Sequence, residues 1–228
     1  MSKNIQDIKT QAYVLRRTNF GEADRILNLI TPNGKVSAMA KGVRKERSKL
    51  AGGVEMFSLV ELTLHFGKSD LATVTSAKML KYYGNILTDF ERMELAATVL
   101  KKVSLAAEHS DVPDYFKIVD SCLASLNVGM DLRLVESWFL MNLLKAEGEE
   151  INLYRDVDGN KLKAGEKYDF MAMENAFLAD ARGDYGENEI KIMRLILNAD
   201  IAVIAKIKNL EESLPKILRF ARIVSKMI

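Results

Sequence analysis

Near Tyr82-Tyr83-Gly84 the apolar residues stop recurring at every second position and begin to recur at every third or fourth, and that change constrains the fold more than any other feature. Before it, side chains alternate as in strands with one buried face. After it, they repeat as on helices. The change predicts an all-β domain over residues 1–80 and an all-α domain over 81–228, and 228 residues suffice for both.

Within the first part, Thr31-Pro32-Asn33-Gly34 is the strongest turn signal, because Pro32 presets φ and Asn33-Gly34 tolerates left-handed backbone. It predicts a hairpin whose second strand is 35–40. Upstream, 10–31 reads as two short strands turning at 19–24, with a short helix after Gly21 as the competing reading. Downstream, 54–66 reads as one long curved strand, 67–70 as a turn and 71–80 as a further strand. About five strands in so short a domain suit a small closed barrel better than a sandwich, since closure removes exposed edges.

In the second part, Thr88 and Glu91 form a capping-box pattern opening a helix that runs to about His109. Pro113 can open a second helix after Asp111. Asp131 can cap a third that Gly148 stops, and its many large apolar residues place it at the centre of a bundle. Residues 149–186 break the helical rhythm: Asp158-Gly159 signals a turn between extended pieces, and 172–178 reads as a helical turn. Helical spacing returns over 189–197, less clearly over 201–207, and Ser213 with Pro215 starts a last helix.

Charge is segregated. Residues 1–85 carry 14 Lys or Arg against 7 Asp or Glu, a net of +7, and the remainder carries 19 against 24, a net of −5. The positive charge concentrates in Gly34–Gly53, where Lys35, Lys41, Arg44, Lys45, Arg47 and Lys49 face one acid, Glu46. The run 41–49 interrupts the apolar alternation and reads as a basic loop between strands. Val43 and Leu50 flank it as its apolar residues, so nothing in the run itself demands order before a partner arrives. Such a loop suits a phosphate backbone or serves solubility alone. Tyr13, Phe20 and Phe57 are the candidate stacking platforms for single strands, with core placement favoured for Phe57.

Other chemistry is thin. The single cysteine, Cys122, excludes an intramolecular disulfide and a cysteine zinc site, and reads as a buried thiol. His65 and His109 read as surface or packing residues. Glu22 and Asp24 are either a metal pair or, more simply, ion-pair partners beside Arg25. Asp156, Asp158, Gly159 and Asn160 have the look of a calcium loop, but Lys167 stands where the closing carboxylate belongs, leaving a surface turn. Neither a signal core nor a membrane-length apolar run is visible, so the expected location is the cytoplasm.

Tyr13-Val14-Leu15-Arg16, Gly21 to Leu27, Thr31 with Gly34-Lys35, Ala40 to Lys45, Ser48-Lys49 and Gly52 together resemble the RecO family of bacterial recombination mediators. The resemblance implies an OB-fold, a five-stranded Greek-key barrel, on about 1–80, followed by a helical domain. It implies a DNA-binding protein that is not an enzyme and needs no cofactor. Such a protein anneals complementary strands and works with RecR to load RecA on DNA coated by single-strand-binding protein. The candidate DNA contacts are Arg16, Arg25, Lys35, Lys41, Arg44, Lys45, Arg47 and Lys49. Arg219 and Arg222 of the last helix are candidates for the acidic, apolar tail of the coating protein. Many members insert a zinc module opening Cys-x-x-Cys-Gly, where this chain has Arg155 and Asp158 at the cysteine positions, so zinc is not expected and a non-zinc extended insert spans about 149–186. Two other readings stay open: a repair adaptor whose barrel docks a protein without binding DNA, and a hydrolase or nuclease built on Glu22, Asp24 and a remote acid.

Overall fold

The computed structural model describes residues 6–69, 71–110 and 112–226, and the chain divides into two compact units, Met1–Val128 and Gly129–Ile228. In the first, five strands close into a barrel: β1 (Gln6–Phe20), β2 (Asp24–Thr31), β3 (Gly34–Ala40), β4 (Ser58–Phe66) and β5 (Ala72–Tyr82). Their order is β1-β2-β3-β5-β4, and β4 pairs back onto β1. All pairings are antiparallel except a short parallel one between β3 and β5. This is the small closed barrel that the spacing predicts, with the OB-fold order that the resemblance implies.

β1 makes closure possible. Its first half pairs with β4 and its second with β2, and Tyr13 lies in register with both Leu59 and Ile30. A register shift between Val14 and Arg16 bends the strand there. The long curved strand expected over 54–66 is thus β1 instead. β4 begins only at Ser58 because Phe57 adopts a φ of +55°, outside the extended region. The Tyr83 N–H donates to the Phe57 carbonyl at 3.0 Å and the Ser58 hydroxyl to the Glu55 carbonyl at 2.6 Å, which hold that kink.

Alternation sends Ala12, Val14, Leu27, Leu29, Val60, Leu62 and Leu64 into the barrel core. Each fully buried Val or Leu there contributes roughly 1.5–3 kcal/mol. Tyr13 points the other way, its ring 5.2 Å from Phe116 and 6.4 Å from Tyr83. Its hydroxyl donates to the Asp120 carboxylate and lies 3.0 Å from the Tyr83 hydroxyl, which reaches the same carboxylate oxygen at 3.2 Å. Burial, and then the bond to Asp120, push the Tyr13 phenol far above its ordinary pKa, and burial pushes Tyr83 up to about 12. Both phenols therefore remain donors at neutral pH.

Asp120 comes from the second of two helices, α1 (Phe90–Ala106) and α2 (Asp114–Asn127), both packed on β1. Asp89, not Thr88, caps α1, accepting from the Arg92 N–H at 3.0 Å, while Thr88 donates to the Asn85 carbonyl at 2.8 Å. Pro113 occupies the N-cap of α2. Asp70 of the expected turn and Asp111 before α2 lie outside the described residues. Since α1 and α2 share the barrel's unit, the unit ends well beyond the change of period at residue 82.

The second unit holds α3 (Leu132–Ala146), a hairpin of β6 (Tyr168–Met171) and β7 (Ala176–Ala179), α4 (Glu187–Ile196), α5 (Ile201–Ile204) and α6 (Leu210–Val224). α3 is central, with Leu134, Val135, Trp138, Phe139 and Met141 among its buried residues, and it packs on α6. Asp131 caps it as expected, accepting from the Arg133 N–H at 2.8 Å. α6 starts three residues before Ser213 and carries Pro215 inside it. Of the helical turn expected over 172–178, residues 172–175 form a turn, and from Ala176 on it gives way to β7, which delivers Phe177 to a ring cluster. Phe177 stacks on Phe220 at 6.1 Å and meets Phe170 and Tyr185 edge-on at 5.2 and 6.0 Å. Such ring pairs add roughly 0.5–1.5 kcal/mol beyond burial.

Two tests follow from this packing. A Cβ on Gly53 would lie 2.6 Å from the Ala77 backbone, whereas one on Gly52 would meet nothing within 4 Å. Gly53→Ala should lower the denaturation midpoint by the equivalent of about 1–3 kcal/mol, the range for overpacking, and Gly52→Ala should leave it nearly unchanged. Equal midpoints by circular dichroism would contradict the close approach. In the second unit, burial alone would raise the Glu189 carboxyl, but bonds from Ser213 at 2.8 Å and the Gly186 N–H at 2.9 Å hold it below its ordinary 4.5. Its stabilisation is complete above pH 4.5 and is lost as pH falls through the lower folded value. Followed by Trp138 fluorescence, the wild type should lose stability more steeply below that pH than Glu189→Gln.

Candidate nucleic-acid interface

The basic run lies between β3 and β4 as a chain of turns, and it is anchored from within. Val43 is buried in the barrel core and Leu50 packs against it. The Gly42 N–H donates to the Asp24 carboxylate at 2.7 Å and the Arg44 N–H to the Ala23 carbonyl at 2.9 Å. Gly42 has a φ of +64°, a conformation that favours glycine over residues with a side chain, and it turns the chain out of β3. The expectation that this run lacks a packing reason for order is therefore corrected. Asp24 is also reassigned: it orients a backbone amide of the loop instead of serving as an ion-pair partner of Arg25. No group of three or more His, Cys, Asp or Glu is placed to hold a metal ion among the described residues.

The anchored loop presents Lys41, Lys45, Arg47 and Lys49, all exposed and without a hydrogen bond or ion pair from their side chains among the described residues. Arg44 is exposed too, and one of its guanidinium N–H groups donates to the Gly21 carbonyl at 3.2 Å across the β1–β2 turn. Arg25 pairs in register with Ala40, next to Lys41, and donates to Asn19 at 3.3 Å. Arg16 is exposed on β1 opposite Asn28, further along the barrel. Lys35 stands apart. It lies at the far end of β3, roughly 17 Å along the strand from Ala40, with 17% of its side chain exposed and an ion pair to Glu108 at 3.5 Å. The structure thus brings together six of the eight candidates, leaves Arg16 at the margin and separates Lys35. Among the stacking candidates Tyr13 is buried, Phe57 is half-buried outside the barrel core, and Phe20 is exposed at the β1–β2 turn beside the loop.

In the second unit, Arg219 is bound to Asp184, and Arg222 holds Glu136 in a two-pronged pair at 2.7 and 2.8 Å. The bond to Glu136 raises the Arg222 pKa further. Both side chains remain largely exposed, so a ligand carboxylate would have to exchange with these partners.

The sequence pattern described as Recombination protein O N terminal matches residues 1–83, which is the barrel. DNA repair protein RecO of Dehalococcoides mccartyi strain 195 is 31% identical over 219 residues, covering 92% of this chain and 86% of that relative. The chain belongs to the RecO family. Its similarity to RecO of Alkaliphilus metalliredigens, 28% over 225 residues, spans 93% and 91% of the two chains, and that to RecO of Heliobacterium modesticaldum rises to 40% over 104 residues, 45% and 38% of the chains.

At the positions where the resemblance would place zinc-binding cysteines, the stretch Arg155–Gly159 does not suit zinc. The ligand positions hold a cation and a carboxylate, and Cys122, the one thiol, is buried in the other unit, where burial pushes its pKa up. Hydrogen bonds hold the turn instead. The Asp156 carboxylate accepts from the N–H groups of Asp158 at 3.1 Å and Asn160 at 2.7 Å, and Arg155 donates to the Gly159 carbonyl at 2.7 Å.

The anchoring of the basic loop by one carboxylate gives a direct test. Asp24→Ala removes a hydrogen bond to a charged group, about 1.5–3 kcal/mol. Amide exchange at Gly42 and Arg44 should speed by roughly ten- to a hundredfold, while exchange in β4 is unchanged. Unaltered protection at both amides would contradict the anchor.

Proposed function

We propose that this RecO-family protein is a DNA-binding recombination mediator without enzymatic activity of its own. It anneals complementary single strands and helps load recombinase onto DNA coated with single-strand-binding protein. What carries the reading is the anchored loop of five exposed cations on an OB-fold barrel, in a chain alignable with RecO over most of its length. A prefolded cationic loop spends less conformational entropy on meeting a phosphate backbone than a floppy one does. It reads charge and not sequence, which suits a protein that must act on any pair of strands. Phe20 beside the loop offers a base-stacking surface.

RecR and the acidic, apolar tail of single-strand-binding protein are the proposed protein partners, with RecA engaged indirectly. Arg219 and Arg222 are the proposed tail contacts, and each exchanges an internal carboxylate for one from the tail. Lys35, tied to Glu108, is a weaker phosphate ligand than the loop residues, and Arg16 and Arg25 extend the cationic surface along β1 and β2.

The test is oligonucleotide titration over a series of salt concentrations. Neutralising Arg44, Lys45, Arg47 and Lys49 together should weaken binding and flatten the log–log salt slope by about three for single strands, from ~0.7 per phosphate contact. It should also slow annealing of complementary strands. An unchanged slope would sink the assignment, and a wild-type protein that retains a protein partner but fails to bind DNA at low salt is an adaptor instead.

A further inference from the structure

The first unit carries a second surface whose chemistry is the reverse of the basic loop. Between the start of β4, the end of β5 and the first two turns of α1 lies an open apolar groove of about 430 Å³. Met56, Phe57, Tyr82, Leu87, Phe90 and Met93 line it. Phe90 is 72% exposed, Tyr82 50% and Leu87 47%, an amount of uncovered apolar surface that marks interaction sites on folded proteins. The groove does not arise from slack packing. Phe57 is held at a φ of +55°, a strained conformation for a bulky residue, and it faces the groove instead of the barrel core. The Tyr82 ring lies against the backbone of Gly84, where a Cβ would stand 2.9 Å from it. Two methionines give the walls the adaptability common in surfaces that receive varied side chains.

Charge selects the occupant. Arg17 and Glu55 at one rim neutralise each other in a pair at 2.7 Å. On α1, Glu94 lines the groove and Glu91 sits one turn before it, and neither carboxylate has an ion-pair partner among the described residues. The rim is therefore net negative.

We propose that this groove is a docking site for a protein segment that seats a bulky apolar side chain between Phe57, Tyr82 and Phe90 and sets a Lys or Arg beside Glu91 and Glu94. The inference rests on the groove alone and stands whether or not the loop binds DNA. It gives the barrel unit two separate faces, one selecting polyanions and one selecting basic, apolar peptide.

The experiment uses the full chain as bait for a displayed library of random twelve-residue peptides, with Phe90→Ala as counter-selection. Because Phe90 is exposed, this variant keeps its fold, which its unfolding midpoint verifies. Enriched peptides should share a bulky apolar residue with Lys or Arg within one helical turn of it. The best synthetic peptide should lose about tenfold or more in affinity against Phe90→Ala, and a comparable factor against the double variant Glu91→Lys, Glu94→Lys. No enrichment over Phe90→Ala, or enrichment of acidic sequences, overturns the proposal. So does a loss of oligothymidine binding in Phe90→Ala, which would assign the groove to nucleobases. Failure of the loop substitutions to alter DNA binding leaves these readouts untouched, so the two readings fail separately.

Discussion

A single carboxylate shared by two buried phenols decides how this protein is divided. Tyr13 occupies the position on β1 where the strand passes from pairing with β4 to pairing with β2, so it has no freedom to shift along either ladder. Its hydroxyl and that of Tyr83 converge on Asp120 of α2, and burial raises both phenol pKa values further above neutrality. Removing the carboxylate would leave two buried hydroxyls to satisfy each other, and a half-satisfied buried network costs more than an apolar one. The barrel and the first two helices therefore form one unit, and the seam between units falls after α2 and not where strands give way to helices.

The same economy of anchoring shapes the basic loop. A run of like charges repels itself and gains little by ordering, yet one apolar side chain, Val43, and one carboxylate, Asp24, hold its start against the barrel. With backbone fixed, the charges need only orient side chains. The groove beside α1 instead carries one unpaired carboxylate, Glu94, among largely apolar walls. The unit thus separates its two surfaces by electrostatics as well as by position.

Much of this was legible in the residues. Alternation located β2, β3 and β5 closely, since a period of two has one physical cause, and placed the Thr31–Gly34 turn between β2 and β3. The failures share a cause as well. The extended reading of 54–57 missed the kink at Phe57, because alternation is silent about a residue held at positive φ, with a hydrogen bond to its carbonyl from distant Tyr83. Residues 172–178 looked helical by local propensity, but ring packing around Phe177 overrides it. Asp24 was readable as half of a metal pair or as an acid beside an arginine, since its actual partner is a backbone N–H eighteen residues away. Val43 was the visible clue: an apolar residue in a charged run has a reason to be there. The candidate cations were legible by type, while the isolation of Lys35 follows from its place on β3 and from Glu108, both tertiary facts.

The hairpin of the second unit has a thermodynamic meaning of its own. Where cysteines grip an ion, the free energy of metal binding is folding free energy, and stability rises and falls with the concentration of free metal. Here the turn at Arg155–Gly159 is tied by a carboxylate and a guanidinium, and Phe177 is held by rings. Free metal has no cysteine grip on this turn. Its stability rests on hydrogen bonds and ring contacts, and varies with temperature through the heat capacity of its buried apolar surface.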